Sequence, residues 1–217
     1  MAKKREVELS FRPYFELLLG YDLFSAMTPG QAKKYLAWFI EQIPLQIHDL
    51  EAEVRASKDE YRSWSADKSA ESLNILGIWF QSQSHLRQMT AQEVDRFYAR
   101  MTPRQRSMVA GTDNTILDEK TVLASIKTGM YLGEVLRENL KGTYWTLVTK
   151  PKSDIHYHQP VLGGFKQGHS CNPVMMASFF AMQLAENRGT PDQLRNIYYE
   201  GWTPHVEDKN ELKDASE

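Results

Sequence analysis

His156, His158, His169 and Cys171 fall within sixteen residues, so three of the six histidines stand beside the only cysteine. Imidazole nitrogen and thiolate sulfur are the ligands that zinc takes in a tetrahedron. On a β-strand, residues two apart share a face, so His156 and His158 would project together if Ile155 to Phe165 is extended. The spacing matches no familiar zinc pattern, and Pro160, Gly163 and Gly164 interrupt the stretch. The same residues offer a second chemistry. Cys171 sits just before the helix cap Asn172, and His169 lies two residues earlier. A thiol near a helix N-terminus has a lowered pKa and becomes nucleophilic. No third group that would orient the histidine is visible, and cysteine is also among the most buried residue types. Packing is the favoured reading of Cys171, and a metal or thiol enzyme built on the four residues is the alternative.

Glu134 is the other candidate, either as a lone general acid or base tuned by burial or as an ion-pair partner of Arg137 or Lys127 at helical spacing. The pairing reading is favoured. Gly163-Gly164 lacks the lysine and hydroxyl of a phosphate-binding loop, and Gly129-x-x-x-Gly133 lies inside a helical pattern rather than between a strand and a helix. Neither a Gly-x-Ser-x-Gly nor a His-Glu-x-x-His is present. Most aromatic residues fall on helical stripes. Trp64, Tyr198, Tyr199 and Trp202 lie in loop-like or terminal places, and exposed Trp and Tyr are what interfaces favour. These four are the candidate partner-binding residues.

The elements that must position these groups are well punctuated. Thr28-Pro29, Thr102-Pro103, Thr190-Pro191 and Asn172-Pro173 each place a capping side chain before a proline, and Thr90-Ala91-Gln92-Glu93 has the form of a capping box. After Thr28 an apolar stripe runs through Ala32, Tyr35, Phe39 and Ile43, and Pro44 predicts a kink or restart. A polar stretch from Ser57 to Ser69 predicts a loop. The next helix turns Leu73, Leu76, Trp79 and Phe80 inward. The longest helix is expected over 118–140, with Gly129 and Gly133 on one face where a neighbour approaches closely. Thr143–Thr149 is rich in β-branched and aromatic residues and predicts a strand, as does Ile155–Phe165. Val174–Leu184 is apolar almost all round and predicts a helix central in the core. A final helix is expected over Leu194–Tyr199.

The bulk properties are ordinary. The chain has 217 residues, 41% hydrophobic and 25% charged, with a formal net charge of -2. That length predicts one domain. A nucleic-acid partner would call for a concentrated basic surface, and a membrane span for about 20 apolar residues. Neither pattern occurs. A lone cysteine indicates no disulfide framework, so a cytoplasmic setting is expected.

Four segments form a recognisable set. They are Ala32–Leu50, Ser69–Leu73 before Trp79-Phe80, Gly129–Glu134 before Tyr144-Trp145, and Lys150–Lys152 leading to Gln159–Phe165 and Asn172-Pro173. With them the chain resembles an uncharacterised family of bacterial proteins, some of which are thought to be immunity proteins beside secreted polymorphic toxins. The resemblance implies a non-catalytic binding protein that neutralises a toxin by direct contact. It implies no catalytic residues and no cofactor. The fold expected is α+β: a mainly helical single domain over 7–203 with a small antiparallel sheet near residues 143–165. A division into a helical lobe 7–112 and an α+β lobe 113–203 is the variant, with a disordered tail at 207–217. The 118–140 helix is expected to pack on the sheet through Gly129 and Gly133, with the 173–186 helix beside it.

Overall fold

The computed structural model describes residues 9–99, 101, 102, 104 and 113–205. Helix α1 (Arg12–Leu18) packs Tyr14 inward. Thr28 then opens α2 (Pro29–Ser57) with a full capping box: its hydroxyl accepts from Gln31 N, and the Gln31 side chain accepts from Thr28 N. At 29 residues α2 is the longest described helix, longer than the 21-residue helix expected to hold that place. Pro44 does not divide it. The buried stripe continues on both sides, from Ala32, Tyr35, Phe39 and Ile43 to Leu50 and Val54. Burial of that continuous face offsets the donor that proline removes.

The polar stretch after Ser57 is a loop with one 3-10 turn, Asp59–Tyr61. Hydrogen bonds strap it down onto the helices. Arg55 Nε donates to Trp64 O at 2.7 Å, Trp64 Nε1 donates to Ser72 O at 3.1 Å, and Lys68 N donates to Tyr131 Oη at 2.9 Å. Helix α3 (Ser72–Gln83) buries the four expected residues, Leu73, Leu76, Trp79 and Phe80. Strand β1 (Leu86–Gln88) and helix α4 (Ala91–Ala99) follow, and Thr90 and Glu93 form the capping box. The helix start expected at Thr102-Pro103 runs into residues outside the described ones, as do both ends of the chain.

Strand β2 (Thr115–Leu117) pairs antiparallel with β1. This sheet is absent from the sequence reading, because three-residue strands are too short to display a period. Helix α5 (Glu119–Asn139) is capped by Asp118, whose carboxylate accepts from Thr121 N at 2.7 Å. Strand β3 (Tyr144–Leu147) pairs antiparallel with β4 (Pro160–Gly163). The second strand is shorter than the expected Ile155–Phe165. Asp154 Oδ1 accepts from His156 N, and Tyr157 and Gln159 close successive turns onto Asp154 O and His156 O. This local side-chain chemistry overrides the β-propensity of Ile155 and Tyr157. Pro160 takes the first position of the strand, where a missing donor does no harm.

Helix α6 (Pro173–Ala185) is capped by Asn172, whose Oδ1 accepts from Met175 N. The close approach expected of the glycine face is shared between two neighbours. A Cβ on Gly129 would lie 2.5 Å from Val174 Cα of α6, whereas one on Gly133 would meet the Trp145 ring of β3. Only Gly133 therefore faces the sheet. Nor is α6 buried all round: Val174, Ala177, Ala181 and Leu184 are in the core, but Phe179 is 66% exposed. A short α7 (Gln193–Asn196) continues into a π-helix, Ile197–Trp202. One buried cluster reaches from Tyr14 to Tyr198, giving a mainly helical α+β domain with two small antiparallel sheets. No helix among the described residues is long and apolar enough to cross a membrane.

Candidate functional site

Glu134 stands at the meeting point of three segments. It is 6% exposed. Arg137, one turn on, grips it with two hydrogen bonds of 2.9 and 2.8 Å. Trp145 Nε1 of β3 donates to it at 3.0 Å, and Lys68 Nζ of the loop approaches at 3.4 Å. Burial pushes its carboxyl pKa up, but the Arg137 and Trp145 hydrogen bonds and the charges of Arg137 and Lys68 outweigh burial and hold it below the ordinary carboxylate value. A carboxylate held ionised by four donors is a poor general acid, and its lone pairs are already engaged. Of the two partners expected from spacing, Arg137 is the one that pairs, whereas Lys127 turns away to Glu53 at 2.6 Å.

Beside this cluster lies a cleft of about 330 Å³ lined by Ile40, Ile43 and Pro44 of α2, Glu134 and Arg137 of α5, and Thr143, Tyr144 and Trp145. Tyr144 is 57% exposed.

The histidines and the cysteine do not converge. His158 is buried at φ +62°, its ring stacked 3.8 Å from Tyr157. The ring of His156 instead approaches the Asn172 amide, with Nδ1 3.3 Å from Nδ2, and Nδ2 also donates to Gln159 Oε1 at 2.7 Å. Burial lowers the His156 pKa, opposed by the Asp154 charge and a Gln159 hydrogen bond. His169 is exposed and lies against His205, 5.6 Å between ring centroids. Cys171 is fully buried, with its sulfur 3.4 Å from Met176 Sδ. Burial pushes its thiol pKa well up, the reverse of what a nucleophile needs. The premise that failed is the extended strand through His156 and His158, since both sit in turns. Among the described residues no group of three or more His, Cys, Asp or Glu side chains could hold a metal ion.

Two of the four candidate partner-binding residues are core residues. Trp64 is 4% exposed, packed against Tyr131 at 5.9 Å, with its indole N–H on Ser72 O. Tyr198 is 7% exposed. A loop position does not keep an aromatic side chain in water when the loop is folded back on a helix. Tyr199 is exposed, under the Arg195 guanidinium and with its hydroxyl donating to Glu71 Oε1 at 3.2 Å. Trp202 is half-buried against Phe165, 4.6 Å between centroids.

An open apolar groove lies between α6 and the π-helix. Its volume is about 450 Å³, and it is lined by Met176, Phe179, Phe180 and Gln183 on one side and by Gln193, Asn196, Ile197, Glu200 and Gly201 on the other. Phe179 is the residue that sequence reasoning missed. A signal existed: adjacent helical residues point about 100° apart, so Phe179 and Phe180 could not both face the same core. No protein-family model, no curated protein and no solved structure matches the chain.

Proposed function

We propose that the chain is a non-catalytic binding protein that seats a partner protein in the groove between α6 and the π-helix. The observation that carries this reading is Phe179, a large apolar side chain held two-thirds in water on a rigid helix above an apolar groove. Exposed apolar surface rimmed by polar residues is the mark of an interaction site. Gln183, Gln193, Asn196 and Glu200 supply that rim. The reactive side chains expected from the sequence support the same reading, because Glu134 is fully engaged and Cys171 is buried. The resemblance to a family containing immunity proteins suggests a toxin as the partner, neutralised by occlusion in the bacterial cytoplasm.

Phe179→Asp is the direct test. A buried aromatic anchor is worth about 2–4 kcal/mol in an interface, a loss of roughly thirtyfold to nearly a thousandfold in affinity. The variant should fold with an unchanged melting temperature and fail to protect cells expressing the toxin that the wild type neutralises. Protection equal to the wild type would overturn the groove as the binding surface. Failure of the wild type to bind or protect would overturn the immunity reading.

A further inference from the structure

We infer that the free edge of β3 is a strand-addition site for an extended, carboxylate-bearing segment of a partner protein. This site is separate from the groove beside Phe179 and stands or falls independently of it.

The hydrogen-bond ladder assigns the edge. Leu162 of β4 gives both of its backbone groups to Cys171, with Leu162 N to Cys171 O at 2.7 Å and Cys171 N to Leu162 O at 2.9 Å. An antiparallel pair exchanges bonds only at alternate residues. The bonds between β4 and β3 therefore belong to the Val161–Thr146 and Gly163–Tyr144 pairs. The N–H and C=O groups of Trp145 and Leu147 point the other way. Among the described residues no hydrogen bond reaches those four groups. Both residues are partly exposed.

Natural sheets blunt such an edge with lysine, proline or a bulge. Tyr-Trp-Thr-Leu carries none of these. The two open residues are roughly 6.8 Å apart along the strand. Only another extended backbone meets both at once, since a helix has spent its own amides internally. That requirement, rather than the apolar area, selects the occupant.

The cleft beside β3 supplies the side-chain contacts. Ile40 and Tyr144 are 41% and 57% exposed within its lining. Arg137 uses Nε and one Nη on Glu134, and among the described residues no bond reaches its other Nη. Lys68 adds a second positive charge to the single buried carboxylate. Glu138 stands 3.8 Å from Arg137 but is 57% exposed, so water screens it. A carboxylate from the occupant complements the open guanidinium fork.

The test uses the full chain, isotope-labelled, and a capped heptapeptide of alternating threonine and valine with glutamate at its centre. The expected result is a titration in which the amides of Trp145 and Leu147 shift and become protected from solvent exchange. Leu147→Pro removes an outward-facing donor while the bonds to β4 run through Tyr144 and Thr146, and it should weaken the peptide at least tenfold. Glutamine in place of the central glutamate should weaken it about fivefold. Ile40→Glu, on the exposed cleft wall, provides a second variant if the proline disturbs folding, and should repel the same peptide. Absence of any shift at both amides up to about 10 mM peptide overturns the inference, as does wild-type affinity in Leu147→Pro or, where that variant does not fold, in Ile40→Glu. Self-association of the chain that Leu147→Pro or Ile40→Glu abolishes would also overturn it, assigning the edge to a second copy.

Discussion

Glu134 shows how one side chain can look like chemistry in the sequence and act as a joint in the fold. Its carboxylate ties α5 to Trp145 of β3 and to Lys68 of the loop before α3. Replacing it with glutamine keeps the shape and removes the charge that Arg137 and Lys68 answer. Hydrogen bonds to a charged group are worth about 1.5–3 kcal/mol each, but Arg137 and Lys68 are 38% and 34% exposed and partly screened. Glu134→Gln should therefore destabilise by about 1–3 kcal/mol in all, a fall of roughly 3–10 °C in Tm. The pH dependence has a definite sign. The folded carboxyl is depressed, so its contribution is complete above the unfolded value of about 4.3 and is lost as pH falls further through the folded value. The gap in Tm between wild type and Glu134→Gln should be constant near neutrality and close below about pH 4. A gap that widened in acid would contradict the ion-paired assignment.

At the scale of elements, the approach of α6 to α5 depends on the absence of a side chain. A Cβ on Gly129 would lie 2.5 Å from Val174 Cα and 2.8 Å from Pro173 O, both backbone atoms. Alanine there gains about 1 kcal/mol of helix propensity and forces the α6 N-terminus away at an overpacking cost of about 1–3 kcal/mol, so Gly129→Ala should lose up to about 2 kcal/mol net. Gly30, with nothing within 4 Å of its notional Cβ, is the internal control, and Gly30→Ala should hold or raise Tm. Equal responses at the two positions would remove the close-packing account. The glycine face was legible because two glycines in a helix demand a reason. Its partner was not, since spacing names a face and never the neighbour. The caps at Thr28, Thr90 and Asn172 were legible for the opposite reason: a cap is a contact with the chain's own next turn. His156 and His158 were misplaced because Asp154 bends the chain through one hydrogen bond that alternation rules ignore. Burial of Trp64 and Tyr198 was out of reach, because it depends on distant parts of the sequence: Tyr131 of α5 packs on Trp64, and Tyr198 joins the same core cluster.

Across the whole molecule, one core joins residues from α1 to the π-helix, and Cys171 reports on its integrity. The thiol is fully buried and its pKa is raised by that burial. Modification by a thiol reagent should therefore require opening of the core, and its rate should follow urea in step with global unfolding rather than with local fraying. Fast labelling in the native protein would mean that the β4–α6 junction opens on its own. The same scale gives meaning to the π-helix at Ile197–Trp202. A π-turn closes over one residue more than an α-turn. Deletion of a single residue, for instance Gly201, would let the segment relax to ordinary helix and swing residues 202–205 by about 100°. Trp202 would leave Phe165, and His205 would leave His169. Gln193, Asn196 and Ile197, before the deletion, would stay on their wall of the groove. The chain thus carries at this point a hinge in lineage rather than in motion, where the shortest change a gene can make in frame turns residues 202–205 to a different face.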